Sequence, residues 1–486
     1  MTSLQPPGAG DLPPVRHVPD AAAHIRGYLR RTGRRLAVLD DDPTGSQAVH
    51  GVSVLMAPHP SGYANGLASP GDTCFVLTNS RSLDRAGAVA AHQAAARDLY
   101  TWEVGSGGTV EIVSRGDSTL RGHVTAEVDA VAAQRLASTG VATDGVLFCP
   151  AMLEAGRFTV GDTHFAVVDG APTPVADTEF ARDRTFGYTR SNLREFLAEQ
   201  SGGAITAAEV ASLSRDDIRT GGPQRVAEVL ASLTHRRWVV VNATDHADLT
   251  VVALGLQLAQ EAGRRFLVRS GPSLVRALAG LEARQPLTSA DIPIDPARSG
   301  NGLIVVGSHV QLTTRQLRVL RQRGDLTSIE LRVPTLLDPV AAPAHLAAAA
   351  EQATAALAHT DVVVSTSRTL VPAGQGLAEL SVARRVSAAL VTLVRQLRPA
   401  RPAWIIAKGG ITGHDLAARA LEIQRAVVVG QLLPGQISLL SPVDAPADVR
   451  GCPLVIFPGN VGTDDTLAMV RDRLATAVAA AVAVAG

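Results

Sequence analysis

Leu36-Ala37-Val38-Leu39-Asp40-Asp41-Asp42-Pro43-Thr44-Gly45-Ser46-Gln47 is the stretch whose reading decides the fold. Four apolar residues predict a short buried strand, three consecutive carboxylates follow, and Pro43-Thr44-Gly45 turns the chain. In an open parallel sheet the ligand crevice lies outside the carboxyl ends of the strands. Three adjacent like charges repel, so arginines, a metal ion or solvent must compensate them. A solvated acidic turn is the plainer reading, but a turn needs one aspartate, not three. A site for Mg²⁺ or for a polyhydroxylated substrate uses all three.

Working outward, apolar runs of strand length recur at Leu36–Leu39, Val52–Met56, Thr73–Thr78, Thr109–Val113, Gly145–Cys149, Trp238–Asn242 and Arg265–Val268. Helical patterns lie between several of them, at Ala86–Tyr100, Gly122–Ser138, Gln224–Leu233 and Leu249–Gly263. Alternation of strands and helices predicts parallel β-α-β construction. Leu281–Ser299 holds three prolines and little periodicity and reads as a connection. A second series follows, with strands at Leu303–Val306, Asp361–Ser365, Trp404–Ala407 and Leu454–Phe457. Its helices are expected at Thr313–Arg323, Val340–Ala358, Gly376–Arg398 and Gly413–Leu421. The expectation is an α/β protein of two domains, each a mostly parallel sheet with flanking helices. Residues 1–30 form a loose tail, 31–280 the first domain, 281–299 the linker and 300–486 the second domain.

Composition narrows the function classes. A chain of 486 residues exceeds a single core. Lys+Arg and Asp+Glu both number 45, so the global field attracts neither nucleic acid nor an anionic membrane. Cys74, Cys149 and Cys452 are far apart and outside metal-ligand spacing; they read as small buried hydrophobes in a reducing cytoplasm. The first twenty residues lack the basic and apolar regions of a signal peptide. Leu474–Gly486 is too short to span a bilayer and reads as a docked terminal helix.

Charge and hydroxyls gather at strand ends in the first domain. Ser114-Arg115-Gly116-Asp117-Ser118-Thr119-Leu120-Arg121-Gly122-His123 brackets an aspartate and two hydroxyls with arginines. Arginine offers a planar fork suited to a carboxylate or phosphate. A helix cap would explain Asp117 or Ser118 alone. Cys149-Pro150-Ala151 leads to Glu154-Ala155-Gly156-Arg157, where an arginine again follows a strand end. Thr178-Glu179-Phe180-Ala181-Arg182-Asp183 and Phe186-Gly187-Tyr188 read as a site segment or as a solvated loop with an aromatic anchor.

Glycine turns mark the second domain. They are Gly307-Ser308-His309, Lys408-Gly409-Gly410-Ile411-Thr412-Gly413 and Pro458-Gly459-Asn460-Val461-Gly462. Glycine lets backbone approach a phosphate, and N–H groups at a helix start bind anions. Each alone is an ordinary tight turn. None matches the GxxxxGK[ST] pattern of a P-loop.

Together these blocks resemble the four-carbon acid sugar kinase family, in order from about Leu36 to about Leu467. Asp-Ser-Thr-Leu-Arg-Gly at 117–122 is the most specific element. The resemblance implies an N-terminal acid-sugar-binding domain, a C-terminal nucleotide-binding domain and an active site in the cleft between them. It implies ATP-dependent phosphorylation, with Mg²⁺, of the terminal hydroxyl of threonate, erythronate or a 3-oxo-tetronate. Asp42 and Asp117 would be catalytic, with Asp41, Thr44, Arg115, Ser118 and Arg121 on the substrate. Ser308, Lys408, Gly409, Gly410, Ile411, Thr412 and Gly459 would hold ATP. The partners are then small molecules, with no nucleic acid and no membrane; homo-oligomerisation is left open. This chain has Asp-Pro-Thr-Gly-Ser-Gln where many members have Asp-Leu-Thr-Gly-Ala, and His309 where a small residue is common.

Two other readings stand beside it. Asp40, Asp42 and Thr44 fit the Asp-x-Asp-x-Thr signature of haloacid-dehalogenase-like phosphatases, with Asp40 as nucleophile. Such an enzyme would need its lysine in the same domain, whereas Lys408 lies beyond the connection. A non-enzymatic sugar-acid sensor explains the first domain and leaves the glycine turns unused.

Overall fold

The computed structural model describes residues 13–368, 379–433 and 435–485. The chain divides into two units, 1–283 and 284–486. In the first, the strands are β1 (Arg34–Asp40), β2 (Ser53–Leu55), β3 (Thr73–Leu77), β4 (Thr109–Arg115), β5 (Gly145–Cys149), β6 (Arg157–Val160), β7 (Thr163–Val168), β8 (Ala171–Pro174), β9 (Ala211–Leu213), β10 (Arg237–Val241) and β11 (Phe266–Ser270). The main sheet runs β2-β3-β1-β4-β11-β5-β10-β9 and every pairing in it is parallel. Helices cover both faces, so β1, β3, β4 and β5 read as near-continuous apolar runs rather than alternating ones. The core gathers Leu39, Val76, Ile112, Phe148 and Val240 from the strands with Leu99 and Val128 from helices.

From β1 the chain crosses to β3 on one side and returns to β4 on the other, which makes the β1/β4 boundary the switch point of the sheet. Register brings the carboxyl ends level. Asp40 stands beside Leu77 and Arg115, and Arg115 beside Ser270. The short antiparallel sheet β6-β7-β8 was not foreseen: its short strands are joined by turns at Gly161 and Gly170, in a segment for which no strand was expected.

The second unit contains β12 (Leu303–Val306), β13 (Leu326–Leu331), β14 (Asp361–Thr366), β15 (Ile405–Lys408), β16 (Arg425–Leu433), β17 (Ile437–Asp444) and β18 (Leu454–Phe457). Their order is β13-β14-β12-β15-β18-β17-β16; β17 pairs antiparallel with both β16 and β18, and the other pairings are parallel. The hairpin escaped the sequence reading because β16 alternates buried and half-exposed residues instead of forming an apolar run. Here the switch point is β12/β15, with Val306, Lys408 and Phe457 in register. The expected helix over Gly376–Arg398 is seen as Glu379–Leu397, and residues 376–378 lie outside the described residues. Thr466–Ala485 is the terminal helix, with Leu474, Ala477 and Val478 buried. Among the described residues no helix is long and apolar enough to cross a membrane.

Two expectations are corrected. Within the segment read as tail, Ala21–Arg31 is a helix that buries Ile25, Tyr28 and Leu29, one face at helical spacing. The tail composition belongs to the residues before it, of which 1–12 lie outside the described residues. The segment read as linker packs on the second unit: Leu287 and Ile292 enter its core, and the Leu287 N–H donates to the Gln431 carbonyl at 2.7 Å. Its prolines forbid regular structure without forbidding burial. Truncating the buried Leu29 (3% exposed) to alanine should lower the stability of the first unit by about 2–4 kcal/mol, as for other core leucines. Denaturant unfolding measures this, and an unchanged first-unit transition would mean that the helix does not dock.

Candidate active site

The three aspartates leave β1 in different environments. Asp40 and Asp41 are buried, and Asp42 is half-buried. Arg115, the last residue of β4, reaches across the strand boundary with Nη1 3.0 Å from Asp40 Oδ1 and 3.3 Å from Asp41 Oδ1. The Asp117 N–H donates to Asp41 Oδ2 at 3.2 Å. Asp42 pairs with Arg81 and accepts from the Thr44 N–H at 2.8 Å and from the Thr44 hydroxyl. Arg81 also lies 3.5 Å from Asp117 Oδ1, and Arg121 Nε donates to Asp117 Oδ2 at 2.7 Å, joined there by the Thr119 hydroxyl. Beneath this layer Arg269, near the end of β11, pairs with Glu127 and donates to Ser114 Oγ at 2.7 Å.

Environment splits the carboxylates. Burial, helped by the charges of Asp41 and Asp42, pushes Asp40 up to about 7 against the pull of Arg115. Among the described residues its Oδ2 has no hydrogen-bond partner, and a Cβ on Gly45 would fall on that carboxylate. Burial likewise raises Asp41, opposed by Arg81 and Arg115. For Asp42 burial is outweighed by Arg81 and the Thr44 hydrogen bonds, which hold it below the usual range. For Asp117 burial is outweighed more strongly, by Arg81, Arg121 and the Thr119 hydroxyl. Asp42 and Asp117 are therefore firmly ionised acceptors, while Asp40 holds a proton near neutrality.

The structure thus gathers Asp41, Asp42, Thr44, Arg115, Asp117 and Arg121 at one place. Arg115, expected to offer its fork to substrate, instead directs its Nη1 at Asp40 and Asp41 and is 5% exposed. Ser118 is buried, its hydroxyl 3.5 Å from Met152 Sδ and 3.4 Å from Arg157 Nη1. Thr178–Asp183 joins the site: Phe180 packs against Arg121, Asp183 lies 3.7 Å from Arg121, and the Tyr188 hydroxyl donates to the Thr119 carbonyl at 2.7 Å. Sequence reasoning missed Arg81, Glu127 and Arg269. Arg81 and Arg269 follow or close apolar runs, so the strand-end rule that found Arg115 applies to them; Glu127 lies inside a helix and gives no such signal.

In the second unit the glycine turns meet. A Cβ on Gly459 would lie 2.6 Å from Ser308 Oγ, and one on Gly409 would lie 3.2 Å from Ser308 Cβ. Gly409 also has φ +119°, which L side chains rarely adopt. Thr313 Oγ1 ties the turns together, 3.1 Å from Ser308 Oγ and 2.9 Å from the Gly459 carbonyl. Arg368 Nη1 donates to the Ser308 carbonyl at 2.6 Å. Thr412 sits against Gly307, while Gly410 and the exposed Ile411 open the following helix. Lys408 is turned inward. Its Nζ donates to the Pro458 carbonyl at 2.6 Å and stands 3.7 Å from the Phe457 ring centre. Burial pushes this amine down to about 7. The buried lysine supports the Pro458-Gly459 turn, while Ser308 and Gly459 are half-exposed. The Gly307, Ser308 and Gly409 N–H groups donate to the Lys408 and Phe457 carbonyls, and the helix that follows starts at Gly410; a helix start offers N–H groups to an anion.

One α/β unit thus gathers charged side chains at its switch point, and the other gathers glycine turns at its own. Residues 36–278 match the sugar-binding N-terminal domain and residues 303–467 the nucleotide-binding C-terminal domain. The chain belongs to the four-carbon acid sugar kinase family. It is similar to a protein of Cupriavidus necator named D-threonate kinase, 31% identical over 58% of this chain and 62% of that one. The chain therefore spans less than two thirds of that relative. A D-threonate kinase of Bordetella bronchiseptica is 29% identical over 90% of this chain and 96% of its own. Among solved structures the fold is similar to a Haemophilus influenzae protein (TM-score 0.63, 17% identity, 90% of this chain and 100% of that one). It is also similar to a Salmonella typhimurium protein (TM-score 0.66, 17% identity, 90% and 98%).

The Asp40 proton gives a pH test. An acid held above its unfolded value of 3.8 stabilises fully below that value, and the contribution is lost as pH rises through about 7. Asp40→Asn lacks this loss. The stability of the variant relative to the unaltered chain should therefore rise between about pH 4 and pH 7 and level off above, in urea melts of the first unit. A flat difference would mean that Asp40 is ionised throughout.

Proposed function

We propose that the chain transfers the γ-phosphoryl group of ATP to the terminal hydroxyl of a four-carbon sugar acid of the threonate, erythronate or 3-oxo-tetronate kind. The observation that carries this reading is the set of interlocked carboxylates and arginines at the carboxyl ends of β1 and β4. Fixed acceptors such as Asp42 and Asp117 suit hydroxyls, and guanidinium groups suit a carboxylate. The relatives named D-threonate kinase support the same substrate class.

Phosphoryl transfer asks for positioning and charge neutralisation more than covalent chemistry. Asp42 is the proposed base: it is ionised, and at 20% side-chain exposure it is the most accessible carboxylate of the triplet. Asp117, saturated by Arg81, Arg121 and Thr119, would orient a neighbouring hydroxyl. Ser308, Gly409, Gly410, Thr412 and Gly459 would hold the nucleotide phosphates through backbone and hydroxyl, with Lys408 supporting the turn. The cradle fits, because side chains at Gly409 and Gly459 would fill it. Among the described residues no cluster of three metal-ligating side chains occurs. Mg²⁺ would then be carried chiefly by phosphates and water, its usual mode. A phosphatase using Asp40 is disfavoured, since that carboxyl is wholly buried beneath Gly45.

ATP consumption against threonate, erythronate and 3-oxo-tetronate isomers, with erythritol and threitol as controls, tests the reading. Turnover on an acid and little on the polyols is expected; no turnover on any acid would overturn it. Asp42→Asn should lower kcat by about a hundredfold or more, as for other general bases, with ATP affinity unchanged. Near-normal turnover would remove Asp42 from the role. Gly459→Val should weaken ATP binding by calorimetry, by about tenfold or more for a clashing Cβ, and leave sugar-acid binding intact. The reverse pattern would exchange the roles of the two units.

A further inference from the structure

Arg157 stands apart from the other arginines of the first unit's site. Arg81, Arg115, Arg121 and Arg269 each meet at least one carboxylate. Among the described residues Arg157 meets none within ion-pair distance, and its buried Nε has no hydrogen-bond partner. The contacts of its Nη1 are weak acceptors, Ser118 Oγ at 3.4 Å and Met152 Sδ at 3.3 Å. Yet the guanidinium is held in place. It opens β6, where backbone bonds in both directions link Arg157 to Met152 at 3.0 Å. It packs 5.6 Å from the Phe180 ring centre, beside Arg121 at 5.5 Å from the same ring. Burial and the nearby charges of Arg121 and Arg115 work against its charged form, and Asp117, the main group favouring it, already serves Arg81 and Arg121. A half-buried, pre-positioned cation without a counter-ion costs free energy that an arriving anion recovers.

We propose that Arg157 binds the carboxylate of the sugar acid, with Phe180 fixing the plane of its fork. This rests on the kinase reading. It also accounts for selectivity at a site whose other arginines already pair with carboxylates of the protein. The carboxylate end would lie at Arg157, leaving the hydroxylated chain to run along Asp117 toward Asp42.

Calorimetry on the full chain without nucleotide is the test, using threonate or erythronate, whichever binds more tightly, and the matching neutral polyol. Arg157→Gln should weaken acid binding on the order of thirtyfold, the range for a hydrogen bond to a charged group. Polyol and ATP affinities should stay within about twofold, which also reports that the variant is folded. In turnover the loss should appear in KM at nearly constant kcat. Arg157→Lys keeps the charge without the fork and should recover only part of the affinity; it serves the same comparison if the glutamine variant does not fold. Unchanged acid affinity, an equal loss for acid and polyol, or a loss in kcat alone would overturn the proposal. The two readings fail separately. Wild-type protein that binds the acid through Arg157 but transfers no phosphate sinks the kinase and leaves the clamp; transfer that survives Arg157→Gln with unchanged KM sinks the clamp and leaves the kinase.

Discussion

Everything at the first unit's site hangs on Arg115. Parallel pairing puts it level with Asp40, and its side chain closes the gap to Asp40 and Asp41 in a place nearly without water. Removing one partner of a buried pair typically costs about 3–5 kcal/mol, because the other charge is stranded. The pair therefore fixes where β1 ends and where the following turn begins. Asp42, Thr44 and Asp117 inherit their positions from it.

The two units use one topological device for opposite chemistry. Each has a switch point where neighbouring parallel strands send their connections to opposite sides. In the first, long charged side chains fill that opening and interlock. In the second, glycines keep it empty, and Thr313, Arg368 and Lys408 brace the backbone from behind. Side-chain recognition discriminates among small polar molecules, whereas backbone recognition takes any ligand that presents the common phosphate group.

Much of this was legible in the sequence because parallel strands buried on both faces leave apolar runs, and ligand groups follow such runs directly. Leu36–Leu39 and Leu303–Val306 announce both the strand and the place to look. What was not legible depends on distance along the chain. Glu127 belongs to the site only because its helix crosses behind β4 and β11, and no local pattern reports that it meets Arg269. Arg115 and Arg157 look alike in sequence, each near a strand end; which one keeps its fork depends on which carboxylates the fold brings within reach. The inward turn of Lys408 was equally invisible, since a lysine before two glycines reads as a phosphate ligand until its burial is known. The β16–β17 hairpin and the helix Ala21–Arg31 escaped because their apolar residues are spaced rather than continuous.

Gly45 and Asp40 occupy what amounts to one side chain's volume. The carboxylate fills the space in which any larger residue at position 45 would place its first carbon. Neither position is then free to drift alone. A side chain at 45 would displace the Asp40 carboxylate and disturb its pair with Arg115, whose other partner is Asp41. Positions 40 and 45 are accordingly coupled, so that a change at the turn is felt at the strand end and at Arg115.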